Sequence, residues 1–255
     1  MGPLPFTSDS HLVSTVVPSP NHGERRAAID ILLLHYTGMP DADGALQRLC
    51  DPASEVSTHY FVFEDGRVVQ CVPEARRAWH AGEASWGGAA DINSRSIGIE
   101  IANPGHGWHY DDFPDAQIAA VIALGRDILA RHPIPPWRVL AHSDVAPMRK
   151  QDPGEKFPWD RLVAAGIGAW VAPEPITDAG RVLAPGDEGP EVRDLQGRLA
   201  DYGYGLDATG RYDAVTAAVV AAFQRHFRPT RVDGLADTST LRILSKLLAA
   251  RAAAG

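Results

Sequence analysis

The segment Ala172-Pro-Glu-Pro-Ile-Thr-Asp-Ala-Gly180 divides the sequence into two stretches that follow different rules. It carries two prolines, has no apolar periodicity and changes the composition on either side, which is the pattern of an interdomain linker. The expected layout is a first domain over residues 1–171, a linker over 172–180 and a second domain over 181–255. Charge changes at the same place: the first 180 residues hold 14 Lys and Arg against 23 Asp and Glu, the remainder 10 against 9. At 255 residues, 45% hydrophobic and 22% charged, the chain can bury a core without disulfide staples. A Pro-rich linker further predicts a tail that moves as a separate body and affects substrate choice more than chemistry; the alternative is a tail that packs against the acidic first domain and shapes its cleft.

Before the linker, β-rich runs at 29–36, 59–64, 68–72, 97–102 and 139–142 alternate with helical patterns. Ile118, Val121, Ile122, Gly125, Ile128 and Leu129 recur at helical spacing after Pro114 and Asp115, and Asp65-Gly66 marks a hairpin. The expectation is an α/β fold with a mixed, partly antiparallel central sheet flanked by helices. After the linker the pattern is helical. Gly210-Arg-Tyr-Asp213-Ala-Val-Thr216 and Gly234-Leu-Ala-Asp237-Thr-Ser-Thr240 repeat Gly-x-x-Asp-x-x-Thr, each Asp placed to cap a following helix. With a third helix from Pro190, the tail reads as a small three-helix domain.

A net charge of −8 makes the chain a poor match for a phosphate backbone, so nucleic acid is not an expected partner. No run approaches the ~18 apolar residues of a membrane span. The opening Met-Gly-Pro-Leu-Pro-Phe-Thr-Ser-Asp-Ser has neither a basic nor an apolar signal region. A cytoplasmic location is expected, or a periplasmic one if the N-terminus is trimmed; the oligomeric state is not legible.

Chemistry-bearing residues stand at strand ends. In Ile31-Leu-Leu-Leu-His35 the apolar run is continuous, so the strand is buried on both faces with His35 at the C-terminal edge where α/β sheets place their sites. His142 ends Val139-Leu-Ala-His142 in the same way, and Asp152 follows in Lys150-Gln-Asp152-Pro-Gly. Two imidazoles and a carboxylate suffice for a catalytic zinc with an open position. From spacing alone, a metal site and a structural Asp-Pro-Gly turn are equally open. Glu100 lies opposite Ile97, Ile99 and Ile101, between Gly98 and Ala102, whose small size leaves room for a ligand. A half-buried strand carboxylate is costly unless it is used, and a metal-activated water needs such a base. The loop Trp79-His80-Ala-Gly82-Glu-Ala-Ser85-Trp86 suits stacking on sugar or peptide, or equally an anchor of core tryptophans. Trp79, His80 and Asn103 are the candidate substrate contacts; His59, His106 and His109 read as structural or surface residues.

The ordered set His35-Tyr-Thr, Ser57-Thr-His59-Tyr, Asp65-Gly66, Ala78-Trp-His-Ala-Gly82, Ser96-Ile-Gly-Ile-Glu100-Ile and Ala141-His-Ser-Asp-Val-Ala-Pro-Met-Arg-Lys-Gln-Asp-Pro-Gly154, with Phe157-Pro-Trp159, resembles the zinc N-acetylmuramoyl-L-alanine amidases of the type-2 amidase family. The resemblance runs from residue 25 to about residue 170 and implies the α/β fold shared with peptidoglycan recognition proteins. It also implies cleavage of the amide joining the muramic acid lactyl group to the L-alanine of the stem peptide. Transferred position by position, His35, His142 and Asp152 would bind Zn²⁺, Glu100 would be the general base and Lys150 would stabilise the oxyanion. Thr58 stands where the phage-lysozyme branch has Tyr; with Glu100, this points to the branch of recycling and outer-membrane amidases. The tail, through Pro185-Gly186, Val192, Leu195-Gln196, Leu199, Gly203-Tyr204, Gly210-Arg-Tyr212, Thr216, Phe223-Gln224 and Val232-Asp-Gly234, resembles a peptidoglycan-binding domain. The expected partners are peptidoglycan or muropeptide fragments, and the expected role is fragment recycling. The alternatives are an exported amidase acting on intact wall and a non-catalytic wall sensor.

Overall fold

The computed structural model describes residues 6–177 and 180–254. Its strands are β1 (Thr15–Val16), β2 (His22–Glu24), β3 (Ile31–Tyr36), β4 (Tyr60–Val62), β5 (Val68–Gln70), β6 (Arg76–Ala78), β7 (Ser96–Ile101) and β8 (Val139–Ala141). Its α-helices are α1 (Ala42–Cys50), α2 (Ile92–Arg95), α3 (Asp115–Arg131), α4 (His142–Val145), α5 (Trp159–Ala164), α6 (Pro190–Tyr202), α7 (Ala214–Phe227) and α8 (Thr238–Ala254). Six strands form one mixed sheet in the order β1-β5-β4-β7-β3-β8, and β2 pairs with β6 apart from it. The neighbours β4-β7-β3-β8 run parallel, while β4 and β5 form the antiparallel hairpin that Asp65-Gly66 signalled. Gly66 takes the left-handed backbone its turn requires.

β3 is buried along Ile31–His35, as a strand apolar on both sides must be. Leu32 and Leu34, with Ile97, Ile99 and Ile101, pack under α3 through Ile118, Val121, Leu124 and Ile128. The opposite face, Ile31, Leu33 and Leu140, belongs to a cluster that continues through Trp86 and Val145 into Tyr202, Tyr204, Phe223 and Phe227 of the tail. Side chains alternate along a strand, so His35 projects on the side of Ile31 and Leu33, toward the tail.

The tail is the three-helix module its repeat predicts. Asp213 and Asp237 cap α7 and the start of α8 by accepting the Thr216 and Thr240 amides at 2.9 and 2.8 Å. Gln196 and Gln224, both buried, close the two turns by accepting the amides of Gly210 and Gly234.

Of the two arrangements open to the tail, the structure has the packed one. Trp86 meets Tyr204 edge-on at 4.9 Å, and a Cβ at Gly203 would come within 2.5 Å of its ring. Asp144, fully buried on α4, receives the Tyr204 hydroxyl at 2.7 Å, the His226 Nδ1–H at 2.7 Å and the Ala141 amide at 2.8 Å. His226 stacks on Trp159 at 3.7 Å. The connecting segment is also tied down, since the Glu174 carbonyl accepts from Ser239 and its carboxylate meets Lys246. A Pro-rich composition permits either arrangement; apolar aromatic surface on both sides of it favours the packed one.

Candidate active site

Register builds the site. β3 and β7 pair in parallel with His35 opposite Glu100, and β8 pairs Ala141 with Leu34, so His142 follows immediately beside His35. Three functional side chains thus share one sheet edge, the C-terminal edge at which strand dipoles and loops leave space for ligands. Asp152 comes in from the loop after α4. His35 Nδ1 lies 2.9 Å from His142 Nδ1 and 3.2 Å from Asp152 Oδ2, and His142 Nδ1 lies 2.9 Å from the same oxygen.

The hydrogen-bond partners assign the tautomers. His142 Nε2 faces the Ala81 carbonyl at 3.0 Å, which can only accept, so the proton is on Nε2 and Nδ1 presents a lone pair. Ser96 gives its hydroxyl proton to the Ile92 carbonyl at 2.7 Å and therefore accepts from His80 Nε2 at 3.1 Å. His80 Nδ1 is then an acceptor for His35 Nε2–H at 3.0 Å, which leaves His35 Nδ1 with a lone pair as well. Burial and the nearby His142 push His35 down to about 4, and burial and His35 push His80 well below the usual imidazole range, so both rings are neutral at neutral pH. With His142 neutral as well, two ring nitrogens and a carboxylate oxygen face each other as acceptors, the form in which they would hold a cation. Such a cluster is repulsive unless a cation sits in it, and two imidazoles plus one carboxylate is a donor set that suits zinc and leaves a coordination position open. His35, His142 and Asp152 lie close enough together to hold a metal ion.

Glu100 stands beside it, with Oε1 4.0 Å from His35 Nδ1 and Oε2 buried without a partner. Burial and the Asp152 charge push its carboxyl well above the usual carboxylate range, against the pull of Lys150. A protonatable carboxyl next to a cation site is what proton shuttling requires. Lys150, Asp152, Glu100, His142, Trp79 and His80 all border one cavity of about 730 Å³.

Other sequence expectations meet a different arrangement. The space above Gly98 is filled by the imidazole of His80, since a Cβ at Gly98 would meet His80 Nδ1 at 2.6 Å; the small residue admits a supporting ring rather than a ligand. His80 is buried and its ring nitrogens are engaged by His35 and Ser96. Trp79 is half-buried at the cleft, whereas Trp86 is packed into the tail. Asn103 is buried with its amide committed to the Asp111 carbonyl and the Gly105 amide, which holds the loop after β7. His59 is structural: its Nδ1 accepts the Gly98 amide at 2.9 Å. His106, by contrast, lines the cleft, held between the Tyr36 hydroxyl at 2.9 Å and Glu155 at 3.0 Å. The tail also lines it, through Ala218, Ala221 and Arg225 of α7. No motif announced these tail residues.

Comparison with known proteins agrees with this arrangement. Residues 25–155 match the family model described as N-acetylmuramoyl-L-alanine amidase, and residues 188–244 match that of a peptidoglycan binding domain. The chain is 41% identical over 238 residues to the N-acetylmuramoyl-L-alanine amidase AmiD of Escherichia coli, covering 86% of this chain and 82% of that protein. It is 32% identical over 167 residues to the 1,6-anhydro-N-acetylmuramyl-L-alanine amidase AmpD of Enterobacter cloacae, covering 58% and 87%. Among solved structures, E. coli AmiD in complex with the substrate anhydro-N-acetylmuramic acid-L-Ala-D-gamma-Glu-L-Lys superposes with a TM-score of 0.74 at 40% identity, over 91% of this chain and 90% of that one. AmpDH3 of Pseudomonas aeruginosa in complex with anhydromuramic pentapeptide gives a TM-score of 0.72 at 33% identity, over 88% and 92%.

Proposed function

Because the chain belongs to the N-acetylmuramoyl-L-alanine amidase family, we propose that it is a zinc enzyme that hydrolyses the amide between the lactyl group of N-acetylmuramic acid and L-alanine on soluble muropeptides, as a step of cell-wall fragment recycling. The observation that carries the zinc assignment is the cluster of three mutually facing lone-pair atoms on His35, His142 and Asp152. Zinc held there supplies Lewis acidity that polarises a carbonyl and acidifies water.

The protein's own groups do the rest. Glu100 Oε2, buried and unpaired, accepts the proton of the attacking water and delivers it to the departing alanine nitrogen, without which an amide expels no amine at neutral pH. Lys150, on the same cleft, balances the negative charge that grows on the former carbonyl oxygen. The His35–His80–Ser96–Ile92 chain fixes the tautomer of His35 and so keeps its Nδ1 lone pair pointed inward. Trp79 on the cleft wall offers a face to sugar or peptide.

The anhydro-N-acetylmuramic acid peptide bound in the E. coli relative and the 1,6-anhydro specificity in the AmpD name support soluble fragments as the substrate. Mass spectrometry of digests tests this directly. Chelation should abolish release of the peptide from an anhydro-muropeptide, and one equivalent of zinc should restore it. Cleavage confined to intact sacculi would instead make this an amidase of the assembled wall.

A further inference from the structure

The cleft has an odd charge. In a chain of net charge −8, the described residues lining it include Arg48, Arg149, Lys150 and Arg225 but only two carboxylates, Glu100 and Asp152, both belonging to the proposed zinc site. Arg149 is committed to the carbonyls of Ala81 and Glu83, and Lys150 serves the reaction. Arg225 is different in origin and in state. It comes from the tail, where Ala218, Ala221 and Arg225 fall on one face of α7 while Val219, Val220, Phe223 and Phe227 on the other side are buried in the shared core. The two alanines hold that face close to the catalytic half, and Arg225 is its polar member.

Arg225 is mostly buried, with 15% of its side chain exposed, and its Nε has no hydrogen-bond partner. Its charged neighbour, Glu155, stands 3.9 Å from Nε, beyond hydrogen-bond reach, and is itself held by His106 at 3.0 Å. Burial lowers the Arg225 pKa, with Glu155 opposing, yet a guanidinium remains a cation at neutral pH. A buried guanidinium with an unpaired Nε at a cleft wall is costly to keep and suits a planar, two-oxygen partner.

We propose that Arg225 binds a carboxylate of the stem peptide, so that the C-terminal module supplies part of the substrate site. The inference rests on the amidase reading above and adds the side from which the peptide is held. In such a substrate the lactyl carboxyl is consumed in the scissile amide, so the free carboxylates lie on the peptide. A γ-linked glutamate, for example, leaves its α-carboxylate free two bonds beyond the alanine. An arginine that reads an anion in this cleft therefore marks the peptide arm and leaves the sugar to other contacts.

The test uses the full-length zinc-loaded chain and two probes: muramoyl-L-Ala-γ-D-Glu-L-Lys with free carboxylates, and the same compound with every peptide carboxylate converted to carboxamide. The wild-type chain is expected to favour the free acid by about 10- to 100-fold in kcat/KM, carried by KM, as for a charge-assisted bidentate pair. Arg225→Gln should collapse that preference toward unity with kcat and zinc content unchanged, and Arg225→Lys should restore part of it. Calorimetry with the released tripeptide and its carboxamide form should show the same loss without any turnover. If Arg225→Gln keeps the preference, or weakens both probes equally while folded, Arg225 is only a strut between the modules and the proposal is wrong. If the wild-type chain cleaves neither probe, the amidase reading fails first, and binding of the tripeptide alone then decides whether Arg225 reads a carboxylate.

Discussion

Two buried polar clusters sit two residues apart on the same short helix. On one side of α4, Asp144 is matched donor for acceptor: Tyr204 and His226 from the tail and the Ala141 amide satisfy both oxygens within 2.8 Å. On the other, His142 joins His35 and Asp152 in a group whose outward nitrogens are carefully satisfied and whose inward atoms are all acceptors. Burial is nearly equal in both, with His142 at 3% and Asp144 at 0% exposure, so burial does not tell function from structure. What separates them is the balance of donors. A cluster closed by its own protein is a joint, and a cluster one cation short is a site.

The largest effect should come from breaking the deficient cluster. His142→Ala removes a central donor and is expected to leave no measurable turnover and no tightly held zinc, while the fold, read by circular dichroism, survives. Full zinc occupancy in this variant would move the metal elsewhere. Next is Glu100→Gln, which preserves shape and removes the proton acceptor. Its kcat should fall by a factor on the order of 100 or more with zinc retained, the scale of a positioned general base. Near-normal kcat would assign the proton transfer to another group.

A third change sharpens the comparison from behind. Ser96→Ala deletes the acceptor for His80 Nε2–H. His80 then either carries an unsatisfied donor or shifts its proton to Nδ1, where it meets the Nε2–H of His35 and drives that ring toward the wrong tautomer. Zinc affinity, measured by competition with a chelator, should drop about 10- to 100-fold, as for other outer partners of metal-bound imidazoles. Unchanged affinity would mean that packing alone orients His35.

The deficient cluster was legible in part, because its two imidazoles stand at the ends of apolar strands, His35 after Ile31–Leu34 and His142 after Val139–Ala141, with Glu100 nearby opposed to three isoleucines, whereas Asp152 comes from a loop whose spacing alone suits a turn equally well. A sheet imposes period two and a common edge, so strand-end residues are brought together by topology that the sequence pattern already encodes. The matched cluster was not legible. Asp144, Tyr204 and His226 are separated by 60 and 82 residues and lie in parts joined by a segment that reads as a flexible linker. An apolar face in a sequence states that something covers it without naming the cover, which is why the loop from Trp79 to Trp86 read equally as a stacking platform or a core anchor and the tail either as a tether or as a packed neighbour. Gly98 illustrates the same limit at short range: its smallness was visible, but that His80 fills the gap was not.

The smallest expected effect belongs to the joint itself. Tyr204→Phe keeps the ring against Trp86 and removes only the hydroxyl that donates to Asp144 Oδ1 at 2.7 Å. A buried carboxylate oxygen stripped of its donor costs about 1–3 kcal/mol, and in a chain of this size each kcal/mol lowers Tm by roughly 2–4 °C. Asp144 Oδ2 would still hold the Ala141 amide and His226, so α4 and the position of His142 should persist. The prediction is therefore a loss of thermal stability with zinc affinity and kcat on a soluble muropeptide within about twofold of wild type, the scatter of a change below ~0.5 kcal/mol. The measurement that matters is the pair: calorimetric Tm of the metal-free chain and zinc affinity of the folded chain. Should both fall together, with affinity down tenfold or more, the two clusters are one coupled unit, and the tail holds the metal ligands in place as well as the peptide.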